Sequence, residues 1–258
     1  NGLKVILLER HSAPIVNAAL VVDAGTAADG AANAGTSSMV LDLLDKGSKN
    51  RNIFQMADAI ESQGAVLSTG TWSDLSVLRL QATTANLKPS LDLMADAALN
   101  PVFPADQFAL LKQRRLAQIA QERAQPNALA QRILPGLLYG AGHAYGQPAS
   151  GTEATVSKMT REDLARWHAA WFKPGSATIV VTGDTTLDKL VPALEASFGR
   201  WAAGAAPAKK VGTVARTAGK KVYLIDKPGA PQSTIVAAHV SETPGQPEDL
   251  ALEPVMQN

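Results

Sequence analysis

The chain has 258 residues, 46% of them apolar and 18% charged, with a net charge of +1; this is an ordinary globular balance with enough length to bury a large core in one large or two modest domains. With no basic block, charge gives no reason to expect nucleic acid or an anionic membrane as a partner, and no apolar run approaches the roughly 20 residues that span a bilayer. The absence of cysteine excludes disulfides, a thiolate nucleophile and Cys-ligated zinc, and leaves the redox compartment open.

Asn1-Gly2-Leu3 stands directly before a strand, which reads as a processed or trimmed start. KVILLE (4–9) and IVNAALVVDAG (15–25) predict two strands, the second buried on both faces. TAADGAANAG (26–35) is a loop of small and polar residues. A helix follows over 36–46, with Met39, Val40, Leu43 and Leu44 toward the core. IFQMADAIESQG (53–64) is a second helix, with Phe54, Met56-Ala57 and Ile60 near helical spacing and a stop at Gly64. Residues 65–83 predict two strands whose alternation is only partial.

Residues 85–101 form a helix with Pro89 in its first turn and Asn100-Pro101 at its end. The longest helix, 104–126, carries Phe108, Leu111, Leu116 and Ile119 and stops at Pro126. A further helix, 127–138, is expected to kink at Pro135, and 139–151 is a loop. Thr160 and Asp163 read as a capping box opening a helix to 172. A buried strand over 176–184 and an amphipathic helix over 187–201, interrupted by Pro192, complete this unit. Residues 202–219 read as a linker. Two new strands are expected at 220–229 and 232–240, and a helix cut short at 247–258. This order predicts an α+β fold, a mixed and largely antiparallel sheet with helices mainly on one face. The expected division is a first domain over 1–215 and the start of a second, similar one over 216–258.

Several stretches, in order and at matching separations, resemble peptidase family M16, the pitrilysin, insulinase and mitochondrial-processing-peptidase group. They are the opening hairpin NGLKVILLERHSAPIVNAALVVDAGT, the pair IESQGAVLSTGTWSDLSVLRLQA with Asp74, LNPVFPADQF before the long helix, and HAYGQPASGTEATVSKMTREDLARWHAAWFKPGSATIVVTGD over 143–184. In that family an inverted motif, H-x-x-E-H, lies on the first helix. Two His at i and i+4 share one helical face and bind one zinc ion, and the Glu before the second His acts as general base. A Glu on the later long helix supplies the third ligand.

Carried onto this chain, the first His falls on Ser38, the base on Leu41, the second His on Asp42 and the late Glu on Ala117 or Gln118. Lys46-Gly47-Ser48 matches the wording that follows the motif and secures this register. None of these residues can make a family-type zinc site, and Leu41 cannot move a proton. The resemblance therefore implies a non-catalytic member with no cofactor of its own. It would complete a peptide-binding chamber in a heterodimer, whose zinc resides in a zinc-bearing M16 subunit or domain and whose substrate is an unfolded peptide. Two other readings stay open: a stand-alone peptide-binding or scaffold module, and an inactive repeat of a longer polypeptide that carries its own zinc half. The Ala-rich style and trimmed start favour a bacterial periplasm or cell envelope.

Other candidate chemistry is sparse. Ser38, Asp42 and Gln118 form an oxygen set for a hard cation, against a plain solvated face with Asp45. His11, His143, His168 and His239 include no pair at ligand spacing and read as structural. Ser37-Ser38 lacks a nucleophile elbow, and Gly140, Gly142 and Gly146 read as a turn. Trp167 and Trp171, i and i+4, read as core. The Arg114-Arg115 and Lys220-Lys221 pairs read as solvated faces. In the family a substrate peptide adds as a strand to the sheet edge near the zinc. That edge corresponds here to about Val66–Thr71, where Ser68, Thr69, Gly70 and Thr71 leave room for main-chain pairing.

Overall fold

A computed structural model describes residues 1–214, 219–229 and 232–240. Five strands form one sheet: β1 (Lys4–Glu9), β2 (Ile15–Val22), β3 (Val66–Thr71), β4 (Ser76–Thr83) and β5 (Ala177–Gly183). Their order is β1-β5-β2-β4-β3; β1 runs parallel to β5 and the other pairs are antiparallel. The outer strands are therefore β1 and β3.

Register sorts the side chains by face. Val16, Ala18, Leu20 and Val22 of β2 line up with Leu78, Leu80 and Ala82 of β4 and with Ala177, Ile179 and Val181 of β5, and all are buried. Between them Asn17, Arg79, Gln81 and Val180 are exposed. One face is thus covered by helices and the other is open, the α+β arrangement expected. The expectation that β2 is buried on both faces fails here. Its apolar run is long enough for a central strand, but only one layer of helices packs on the sheet.

The described residues form eight α-helices: α1 (Thr36–Leu43), α2 (Ile53–Ser62), α3 (Leu87–Leu99), α4 (Ala105–Ala124), α5 (Pro126–Tyr139), α6 (Glu153–Lys158), α7 (Arg161–Trp171) and α8 (Leu187–Phe198). α1 is flanked by β3, β4, α7 and α4, and every one of its residues except Asp42 is buried. Trp167 and Trp171 of α7 are buried in the same core as Met39, Val40, Leu43 and Leu44. The Thr160–Asp163 capping box is formed.

Other differences have local causes. Pro192 does not interrupt α8; it lies inside a continuous helix and forgoes one backbone hydrogen bond. In α2 only Met56 is fully buried, while Phe54 is 75% exposed, because a second core cluster of Leu93 and Ala97 offers α2 a narrow contact. Residues 219–229 and 232–240 hold no strand. Val222 and Leu224 are each 93% exposed, and an apolar alternating segment becomes a strand only where a ladder partner meets it. The helix expected at 247–258 lies outside the described residues. The 202–214 linker has no regular structure but is tied down. Lys209 Nζ donates to Asp23 Oδ1 at 2.5 Å and to the Asp74 carbonyl at 2.9 Å, and His143 Nε2 lies 2.8 Å from the Gly212 carbonyl oxygen.

Candidate functional site

The site is built around the start of α1. Gly35 precedes the helix with φ +93°, a left-handed conformation that suits glycine, and a Cβ there would lie 2.9 Å from the Cα of Gly151. The first turn is held by Asp29, whose carboxylate accepts from the Gly35 N–H (3.0 Å), the Ser37 N–H (2.9 Å) and the Ser37 hydroxyl (3.0 Å). An acceptor at this position satisfies donors that a helix start leaves free. Burial pushes the Asp29 carboxyl up to about 7, against the pull of these donors.

One turn further on, Ser38 and Asp42 stand at i and i+4 on one face. The residue that meets them is Arg115 of α4. Its Nη1 donates to Ser38 Oγ at 2.9 Å and its Nη2 to Asp42 Oδ2 at 2.7 Å. Ser38 Oγ in turn donates to the Gly35 carbonyl at 3.0 Å, so its lone pairs face the guanidinium. Arg115 is only 8% exposed, whereas the Asp42 side chain is 44% exposed. Burial raises the Asp42 carboxyl above its ordinary value, and the Arg115 charge works against that rise.

The expectation of a solvated Arg114-Arg115 pair is therefore corrected. Arg114 is exposed, but Arg115 is buried because α4 turns it toward two acceptors on α1. Gln118 does not join them. It points to solvent and donates to Glu122 at 2.7 Å, and Ala117 is exposed as well. Leu41 is 1% exposed and sits in the apolar core, with nothing to exchange a proton. The oxygen set Ser38–Asp42–Gln118 is thus not assembled. A family-type zinc ion does not fit here: no imidazole faces it, one hydroxyl and one carboxylate are engaged by a guanidinium, and the base position is hydrocarbon. Among the described residues no group of three or more His, Asp or Glu is placed to hold a metal.

Three of the four histidines, His168, His143 and His11, lie elsewhere. His168 Nε2 lies 2.8 Å from the Ala98 carbonyl oxygen, and its ring stacks on Phe172; burial pushes it down to about 4. His143 stacks on Tyr139, and Tyr145 donates to Asp74 at 2.8 Å. His11 is exposed beside Asp184.

The strand neighbouring α1 is β3, an outer strand that among the described residues pairs only with β4. Ser68 is exposed; Thr69, Gly70 and Thr71 are partly so, and Thr71 Oγ1 lies 3.1 Å from Ser76 Oγ. Trp72 folds back over Gly70, where a Cβ would meet its ring at 2.8 Å, and the Arg79 guanidinium lies 5.0 Å from the indole centroid. Among the described residues β3 is thus an edge of the sheet, and it packs beside α1.

A family model for Insulinase (Peptidase family M16) matches residues 4–155, and one for the Peptidase M16 inactive domain matches 158–255. α7, β5 and α8, beyond the first match, nevertheless pack into the same sheet-and-helix unit as β1–β4. An uncharacterized zinc protease of Mycobacterium leprae is 28% identical over 229 residues, covering 85% of this chain and 51% of the relative. One of Mycobacterium tuberculosis is 28% identical over 250 residues, covering 94% and 53%. The crystal structure of a peptidase M16 inactive domain from Pseudomonas fluorescens superposes with a TM-score of 0.78 at 26% identity, over 83% of this chain and 52% of that one. The periplasmic protease PqqL of Escherichia coli shares the fold, with a TM-score of 0.74 at 16% identity over 83% of this chain and 24% of that one. The chain spans about half the length of the curated relatives it matches.

Proposed function

The chain belongs to peptidase family M16, and from that premise we propose that it is the non-catalytic half of a zinc-dependent M16 protease. It completes the chamber that encloses an unfolded peptide, while a zinc-bearing M16 subunit or domain makes the cut. The observation that carries this reading is the replacement of the motif by Ser38, Leu41 and Asp42, with the Arg115 guanidinium bound to the first and third. In this reading the chain holds no metal cofactor, and zinc belongs to the partner. The partner is a separate chain in a heterodimer or another part of a longer polypeptide; relatives about twice as long support either arrangement.

The chain's share of substrate binding is assigned to the β3 edge, through main-chain groups of Ser68, Thr69, Gly70 and Thr71. Strand addition needs no catalytic side chain, so it survives loss of the motif. A first domain over 1–215 and the start of a second over 216–258 are supported by a repeat in the sequence. Lys221-Val222-Tyr223-Leu224-Ile225-Asp226-Lys227 followed by Ala230-Pro231 echoes Lys4-Val5-Ile6-Leu7-Leu8-Glu9-Arg10 followed by Ala13-Pro14. A bacterial periplasm or envelope remains the proposed compartment.

The test is a peptidase assay on unfolded peptides with zinc supplied, using the chain alone and with a zinc-bearing M16 protein from the same source. Cleavage is expected only with the partner. Robust chelator-sensitive cleavage by the chain alone overturns the proposal. The free β3 edge also favours a second reading, a peptide-binding module without a protease; a pull-down that recovers peptides but no M16 partner distinguishes it.

A further inference from the structure

Arg115 is an unusual residue to bury. A guanidinium stays charged at any accessible pH and carries several donors that must be paired when water is removed. Here two of its nitrogens are aimed, at 2.9 and 2.7 Å, at two oxygens one helical turn apart on α1. Those oxygens belong to the two residues that stand at the family's His positions. The arm that carries the charge comes from α4, the helix that carries the third ligand in the family's arrangement.

The bonding across the two helices is thus inverted. A bound metal would be gripped by donors from both helices; here the cation is itself a side chain of α4, and α1 supplies both acceptors. We propose that the Arg115 guanidinium is a built-in substitute for the metal ion, a covalently held cation that ties α4 to α1 and keeps the site closed to divalent metals. This rests on the reading of the motif as degenerate and extends it to a positive role for one residue.

Three features support the assignment. The Ser38 hydroxyl donates to the Gly35 carbonyl, which orients its lone pairs to Arg115, so the serine acts as an acceptor rather than as a remnant. Asp42 supplies the single negative charge that a guanidinium needs, whereas one carboxylate and one hydroxyl fall well short of the oxygen ligands a hard divalent cation requires. The planar fork of Arg reaches two acceptors at once, which the point charge of Lys does not. A metal ion entering between Ser38 and Asp42 would stand against a fixed positive charge. Such a cross-link does not exchange with solution and does not respond to a chelator.

The experiment is thermal unfolding of the wild-type chain and of Arg115→Ala, each with chelator, with zinc, and with methylguanidinium at low millimolar concentration, far below denaturing levels. The wild type is expected to unfold at the same temperature under all conditions. Arg115→Ala is expected to unfold several degrees lower and to recover a substantial part of that loss with methylguanidinium. Should the alanine variant fail to fold, Arg115→Gln, which keeps much of the stem and removes the charge, carries the same rescue test. An unchanged midpoint in the variant, a loss that methylguanidinium does not repair, or stabilisation of the wild type by zinc overturns the proposal. An unrepaired loss leaves the non-catalytic reading standing, because that reading fails only on cleavage by the chain alone.

Discussion

Arg115 and Asp42, 73 residues apart in sequence, are joined by a 2.7 Å charged hydrogen bond that crosses from α4 to α1. The guanidinium is buried and the carboxylate half exposed, so the pair lies between the two usual regimes. Exposed pairs contribute about 0–1 kcal/mol, and removal of one partner from a fully buried pair costs about 3–5 kcal/mol. Asp42→Ala is therefore expected to cost about 2–3 kcal/mol, chiefly by leaving Arg115 uncompensated. Ser38→Ala, which removes one neutral acceptor, is expected to cost about 1 kcal/mol. Urea denaturation checks the order; equal losses, or none for Asp42→Ala, contradict it.

Asp29 governs the first turn of the same helix. Removing its carboxylate in Asp29→Ala leaves two buried N–H groups and a hydroxyl without their acceptor, at a cost on the order of 2–4 kcal/mol. Its carboxyl titrates near 7 in the folded chain and at the lower, ordinary value when unfolded. The protonated form is therefore favoured by folding. The stability linked to it is fully present below about 4 and is lost as pH rises through about 7. Asp29→Asn, which does not titrate, is expected to flatten stability against pH across that window, measured by thermal midpoints at constant ionic strength.

His168 works in the opposite direction. Its ring, between the Ala98 carbonyl and Phe172, is held neutral, with its pKa down at about 4 against an ordinary 6.5. Folding favours the unprotonated ring, so its contribution is complete above 6.5 and is lost as pH falls toward 4. His168→Gln keeps an N–H donor for the Ala98 carbonyl and does not titrate. It is expected to lose less stability than the wild type between pH 6.5 and 4; an identical acid profile contradicts the assignment.

Strand addition at β3 makes a position-specific prediction. On an outer strand, consecutive N–H groups alternate between the neighbouring strand and the open side. Of Ser68→Pro and Thr69→Pro, one removes a ladder bond to β4 and destabilises the fold. The other removes an outward donor and is expected to fold while binding an unfolded peptide about tenfold more weakly. Fluorescence anisotropy with a labelled peptide reads the difference. Undiminished binding by both folded variants places the peptide elsewhere.

The linker is fastened to the domain through Lys209, which bridges Asp23 and Asp74. Lys209→Met is expected to change stability by no more than about 1 kcal/mol, because its partners are largely exposed. Limited proteolysis within 202–214 is expected to become several-fold faster. An unchanged cleavage pattern contradicts the tether.

The parts of this molecule legible in the sequence are those set by local pattern. The strand–strand–helix opening, the Thr160–Asp163 cap and the buried Trp167–Trp171 pair follow from spacing and capping chemistry. The family wording then placed Ser38, Leu41 and Asp42 on one helix and Val66–Thr71 on a strand, and the sheet order puts that strand at an edge. Arg115 was not legible. Beside Arg114 in a charged stretch it looks solvated, and only the rotation of α4 against α1 distinguishes the two. One signal does lie in the sequence: loss of two neutral ligands with gain of Asp42 leaves a charge facing α4 that some cation has to meet. The faces of β2 and the environment of Phe54 depend on how many layers cover the sheet, which composition does not encode. The segments 219–229 and 232–240 carry strand-forming residues with no strand partner among the described residues, so propensity alone does not decide them.

In the proposed arrangement the Arg115 guanidinium stands where the family holds its metal. Equilibrium dialysis of the metal-free chain against zinc, with protein and metal quantified after a chelator wash, tests it most directly. Far less than one zinc per chain is expected, with no change on Ser38→Ala or Asp42→Ala. One tightly held zinc per chain that disappears with either substitution would contradict it.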